Sequence, residues 1–126
     1  APWCAPCRAV IPAIAESYRQ MQDKGLEVIG YTRLYGSYRD DQQNAGEVPP
    51  EKEISLTKEF VKRFKIGYPV AIAEKQDVFE KYHIRGIPTM IFIDKKGRIA
   101  DFKIGSGNPA LIQEKIESML QEKPAA

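Results

Sequence analysis

Apolar residues at Val10, Ile11, Ile14, Tyr18 and Met21 recur in steps of three and four, which predicts a helix over residues 4–24. Pro12 lies inside it and predicts a kink near the second turn, and Gly25 supplies a stop. The β-branched and aromatic run over residues 26–32 predicts a strand. From 33 to 54 the period disappears. Gly36, Ser37, Asn44, Gly46, Pro49 and Pro50 interrupt a charged stretch, which predicts a long loop. A loop of that length in a compact domain is usually functional or mobile. Tyr31, Tyr35 and Tyr38 at its start either form a contact surface or pin the loop to the body.

Periodicity returns at Ser55, a candidate cap for a helix whose one face carries Leu56, Phe60, Val61 and Phe64. Gly67-Tyr68-Pro69 ends that helix, and residues 70–72 form a short strand candidate. A further helix is predicted over 76–82, with Val78, Phe79 and Tyr82 inward. The run 89–93 is apolar throughout, as expected of a strand covered on both faces. Residues 94–97 read as a hairpin turn and 98–104 as the returning strand. Asn108-Pro109 opens the last helix, cap then proline, with Leu111, Ile112, Ile116, Met119 and Leu120 as its buried face. The tail at 122–126 is expected to fray. This order predicts an α/β or α+β arrangement of helices on a small sheet.

Length and charge narrow the function more than the fold. The 126 residues suffice for one domain, taken as 1–126. A net charge of +2, with lysines and glutamates interspersed, gives no ground for a nucleic-acid partner. A monomer is expected, and no apolar run approaches a membrane span. There are two cysteines, Cys4 and Cys7. The loop they would close is too small to act as a structural framework, so their proximity serves chemistry. A structural zinc site needs four ligands, and His83 is the sole histidine, so a Cys-Cys-His set falls one short. Neither a metal nor a cofactor is expected.

Trp3-Cys4-Ala5-Pro6-Cys7 opens the first helix. A thiolate there accepts hydrogen bonds from free backbone N–H groups at the positive end of the helix dipole, which lowers the pKa of Cys4. Cys4 is therefore the candidate nucleophile and Cys7, one turn on, the resolving thiol. Pro6 stiffens the turn between them, and Trp3 is a candidate lid on the site. The second element is Gly86-Ile87-Pro88-Thr89, just before the most apolar strand. A proline there belongs at the strand entrance. A cis Ile87–Pro88 bond would present a backbone edge to a substrate segment. Trp3, Pro6, Ile87 and Pro88 are thus the expected substrate-binding set. His83 ends a helix shortly before this loop and is assigned to the helix C-terminus rather than to catalysis.

Together, Trp-Cys-x-Pro-Cys, Pro12 five residues after Cys7, Gly-Ile-Pro-Thr and Lys103-Ile104-Gly105 resemble the thioredoxin superfamily. The passage from Tyr31 to Gly86 holds an extra helix and loop. With Phe60, Phe64 and Tyr68-Pro69-Val70, and with the stretch from Phe92 to Ile99, it resembles the TlpA/ResA-like branch of the AhpC/TSA-redoxin-like proteins. The resemblance implies a thioredoxin-like α/β fold: a central mixed β-sheet flanked by helices, with an insertion between the strand after the C-x-x-C helix and the cis-proline strand. It implies nucleophile Cys4, resolving Cys7 and a substrate-facing Pro88. Protein dithiol or disulfide substrates, an upstream thiol electron donor and a reducing role follow, in a bacterial extracytoplasmic setting (periplasm or outer membrane face). A membrane anchor outside this chain is compatible with that setting. Two departures stand out. ResA-like reductases carry a glutamate three residues after the second cysteine, where this chain has Val10. The central strand leading into Trp3 is missing, and truncation is the expected reason. A non-catalytic binding module and a thiol peroxidase are the alternatives. The Pro-x-x-x-Thr-x-x-Cys setting of peroxidases is absent, and the intact cysteines argue against the module.

Overall fold

The computed structural model describes residues 1–74 and 77–123. Gln76, at the start of one predicted helix, and the end of the predicted tail at 124–126 lie outside the described residues.

Helix α1 (Ala5–Met21) starts with Cys4 as its N-cap and Pro6 in its first turn, and it runs through Pro12. A 3-10 turn, Gln22–Lys24, extends it until Gly25 breaks away at φ 107°. The helix presents apolar residues in two directions. Ile11 and Ala15 pack with Phe60, Ile66 and Tyr68. Val10 and Met21 pack with Ile112 and Ile116, and Ile14 touches both groups.

Strand β1 (Gly30–Arg33) is shorter than its apolar run suggests. Leu26 and Val28 pack against the cores instead of joining a ladder. A Cβ at Gly30 would lie 3.1 Å from the Tyr68 ring and 3.3 Å from Val70, so the close approach of these segments requires glycine. β1 pairs in parallel with β4 (Val70–Ala73), from Gly30 opposite Val70 to Arg33 opposite Ala73.

The stretch predicted as a loop over 33–54 is ordered. It forms β2 (Ser37–Arg39) and β3 (Asn44–Glu47), an antiparallel hairpin whose register shifts between Tyr38 and Arg39. Strands of three and four residues with no alternating apolar face leave no periodic signal. Their order comes from long-range polar contacts. The Glu53 carboxylate, 3% exposed, accepts the backbone N–H groups of Tyr35 (2.8 Å) and Gly36 (3.0 Å). Buried Tyr38 donates its hydroxyl to Asp40, and Arg63 pairs with Asp40 (3.2 Å) and Asp41 (2.9 Å).

Helix α2 (Pro50–Arg63) begins five residues before Ser55, which is exposed within it and caps nothing. Pro49 is the N-cap, Pro50 brings its preset φ to the first turn, and Glu51 and Glu53 complement the dipole there. α3 (Asp77–Lys81) follows β4. β5 (Thr89–Ile93) and β6 (Ile99–Ile104) form an antiparallel hairpin. The Asp94 carboxylate accepts N–H groups of Lys96 and Arg98 at 2.9 and 3.0 Å to close its turn. Met90 and Phe92 pack against the Val10–Ile112 group, but β5 is not covered on both faces as expected, and Ile93 is 51% exposed. In α4 (Pro109–Leu120), Asn108 caps the start by accepting the Ala110 N–H at 2.9 Å. Ile112 and Ile116 are buried, whereas Leu111, expected inside, is 54% exposed and joins neither core group.

The strands therefore form three two-stranded ladders, β1–β4, β2–β3 and β5–β6. Among the described residues, no strand pairs with both β1 and β5. Helix α1 bridges them through its two apolar faces.

Candidate active site

The first turn of α1 places both cysteines. Cys4, with extended backbone (φ −93°, ψ 107°), donates its N–H to the Ala1 carbonyl at 3.0 Å, and its own carbonyl accepts the Arg8 N–H at 3.0 Å. Arg8 reaches back to the Pro2 carbonyl at 2.7 Å, tying the approach segment to the helix. The Cys7 N–H donates to the Cys4 Sγ at 3.2 Å. Cys4 and Cys7 are joined in a disulfide, their Cα atoms 5.2 Å apart, and are only 4% and 8% exposed. In this oxidised form Cys4 Sγ is an acceptor alone. On reduction, the same N–H would favour the Cys4 thiolate over the thiol.

The Pro88 segment lies across from the disulfide. The Ile87 carbonyl oxygen is 3.9 Å from Cys4 Sγ, and the Ile87–Pro88 peptide is cis. The segment is held on both sides. Thr89 Oγ1 donates to the Gly86 carbonyl at 2.5 Å, and the Gly105 N–H donates to the Pro88 carbonyl at 2.8 Å. Pro88 itself is buried, and Ile87 presents the groove-facing surface.

A groove of about 650 Å³ opens beside Cys4. Trp3 and Pro6 line one side, and Gly86 and Ile87 another. The β2–β3 hairpin brings Tyr35 and Arg39 to a third. Trp3, 37% exposed, meets Tyr35 edge to face at a 5.5 Å centroid distance, and the Arg33 guanidinium stacks on the other ring at 4.2 Å. Burial raises the Tyr35 phenol pKa; the neighbouring Arg33 charge opposes that shift and Glu53 adds to it.

All six residues expected from the sequence thus gather here, with Pro88 behind the surface. The three loop tyrosines divide: Tyr35 lines the groove, Tyr38 is buried as an anchor and Tyr31 is half-exposed on β1. His83 is exposed in a left-handed conformation (φ 53°) at the end of α3 and does not line the groove. Val10 sits at the position of the missing carboxylate and is core, 5% exposed. Sequence reasoning missed Arg33, Arg39 and Arg85, which also line the groove. Only the unusual clustering of arginine and tyrosine over 31–39 hinted at the first two. Among the described residues, no three His, Cys, Asp or Glu side chains gather as a metal site. No described helix is long and apolar enough to cross a membrane.

This arrangement of helices and strands defines a thioredoxin-like fold. Its likeness to a thiol-disulfide isomerase from Corynebacterium glutamicum has a TM-score of 0.73, with 24% identity over 95% of this chain and 75% of that one. StoA from Bacillus subtilis gives 0.66 and 23% identity over 89% and 73%. More narrowly, the chain belongs to the AhpC/TSA family, whose sequence model matches residues 1–102. Among curated relatives it is 29% identical over 120 residues to the thiol-disulfide oxidoreductase ResA of Bacillus cereus, covering 95% of this chain. It is 26% identical over 117 residues to the ResA of Geobacillus thermodenitrificans, covering 93% of this chain. The chain spans 57% and 58% of the length of those two relatives.

Proposed function

We propose that this chain is a thiol–disulfide oxidoreductase that exchanges disulfides with protein substrates through Cys4 and Cys7, running as a reductant. One observation carries the reading: Cys4 caps α1, receives the Cys7 N–H at 3.2 Å and opens onto a groove. In the reduced protein the Cys4 thiolate attacks one sulfur of a substrate disulfide. A Cys4–substrate disulfide forms, and the displaced substrate sulfur takes up a proton. The Cys7 thiolate then attacks Cys4 Sγ and releases the second substrate thiol. Two electrons have passed to the substrate, and the protein is left with the Cys4–Cys7 disulfide seen here. A donor dithiol must restore it. Ile87 and Pro88, across the groove, present the backbone against which the substrate segment lies during attack, with Trp3 and Pro6 flanking it. The ResA-named relatives support this chemistry, and the TlpA/ResA resemblance supports an extracytoplasmic bacterial setting.

The test is reduction of insulin disulfides with a dithiol as donor. The protein is expected to accelerate it, and Cys4→Ala to return the rate to that of the donor alone. Cys7→Ala is expected to trap a mixed disulfide. Acceleration that survives Cys4→Ala sinks the proposal. Titration of the pair against a dithiol buffer tests direction. A potential near roughly −270 mV supports a reductant, and one near about −120 mV reverses the assignment.

A further inference from the structure

We infer that the groove beside Cys4 selects substrates whose reactive cysteine lies in an acidic, extended polypeptide segment. The inference deepens the disulfide-exchange reading and rests on it for the site's role. Three arginines from different parts of the chain converge on the groove: Arg33 at the end of β1, Arg39 on β2 and Arg85 just before Gly86. Among the described residues, no aspartate or glutamate lines it. Among the described residues, none of the three guanidiniums is ion-paired to a carboxylate.

The carboxylates of Glu53, Asp40 and Asp41 are already committed. Glu53 accepts the N–H groups of Tyr35 and Gly36 from behind the groove wall. Asp40 and Asp41 are paired with Arg63, which does not line the groove. The whole chain carries a net charge of only +2, so this positive field is a local feature of the site. Guanidinium forks suit carboxylates geometrically, and three of them separated around one groove call for several carboxylates spaced along a chain. A volume of about 650 Å³ exceeds what one acidic side chain would fill. Trp3 and Phe79 add apolar surface for the residues between the acids.

The probes are two synthetic peptides with one neutral core and a serine in the cysteine position, flanked by glutamates in one and lysines in the other. They are titrated into the oxidised protein, with Trp3 fluorescence as reporter. The glutamate peptide is expected to bind at least about tenfold more tightly at low ionic strength. The ratio should approach one near 1 M salt, where the screening length is about 3 Å. In Arg39→Gln/Arg85→Gln, both positions exposed, the ratio should collapse to within about twofold while far-UV circular dichroism stays unchanged. Equal binding of the two peptides by the wild type overturns the inference, as does a ratio indifferent to salt. Disulfide-bearing versions of the peptides separate this from the underlying reading. Cys4-dependent exchange at equal rates for both removes the acidic preference and leaves the oxidoreductase standing. Tight acidic binding without Cys4-dependent exchange does the reverse.

Discussion

Glu53 and Asp40 show how single carboxylates order a stretch with no hydrophobic period. Glu53 is buried and serves two backbone donors at the base of the hairpin. Glu53→Gln keeps the shape but turns part of the acceptor into a donor facing an N–H. It should cost about 1.5–3 kcal/mol in denaturant unfolding. Burial alone would raise the Asp40 carboxyl; hydrogen bonds from Tyr38 and from the N–H groups of Gln42 and Gln43, with Arg63 nearby, outweigh it and hold the group below its ordinary 3.8. A carboxylate depressed in the folded state adds stability above its ordinary pKa, and that stability is lost as pH falls through the folded value. The hairpin should therefore loosen on acidification below about pH 4, and Asp40→Asn should weaken that dependence, leaving the part carried by the Asp41 carboxylate that Arg63 also holds low. Amide exchange at β2 and β3 against pH reads both. At this scale the sequence was most legible where residue type and spacing suffice. Cys4 and Cys7 are found from one turn of helix, whereas Arg33, Arg39 and Arg85 share no local pattern and meet only once the hairpin has folded.

Among the elements, α4 and the β5–β6 hairpin follow from caps, turn residues and apolar runs, because their determinants are local. The start of α2 does not. Ser55 has the right chemistry for a cap, but Pro49-Pro50 had already begun the helix and the chain passes Ser55 in mid-helix. The two caps make a paired prediction. Asn108→Ala should destabilise by about 1 kcal/mol, through loss of the acceptor for the Ala110 N–H. Ser55→Ala should instead stabilise by about 0.5 kcal/mol, since alanine is the better mid-helix residue. Thermal unfolding of the two variants side by side gives the signs. β1 was predicted to start four residues too early for a similar reason: its N-terminal apolar residues serve the cores rather than a ladder.

Across the whole molecule, the three ladders share no strand, and α1 is what they have in common. One face of it packs against the α2 side and the other against α4. The middle turns of α1 should therefore exchange their amide protons slowest, through global opening, and the β2–β3 ladder should exchange by a smaller local event. A native-state exchange series in denaturant distinguishes them. Interchangeable rates for α1 and the hairpin would contradict this account of the core.

The disulfide sits at the tip of that shared helix, which closes a thermodynamic cycle between two properties usually measured apart. Oxidised and reduced protein can each unfold, and folded and unfolded chains can each be reduced. The four edges must sum to zero. Whatever preference the folded helix tip has for one redox form reappears, undiminished, as the difference in unfolding free energy between the two forms. Each 30 mV between the folded and unfolded potentials equals about 1.4 kcal/mol of that difference. A helix start that favours the Cys4 thiolate would thus make the reduced protein relatively harder to unfold than a bare peptide disulfide would suggest.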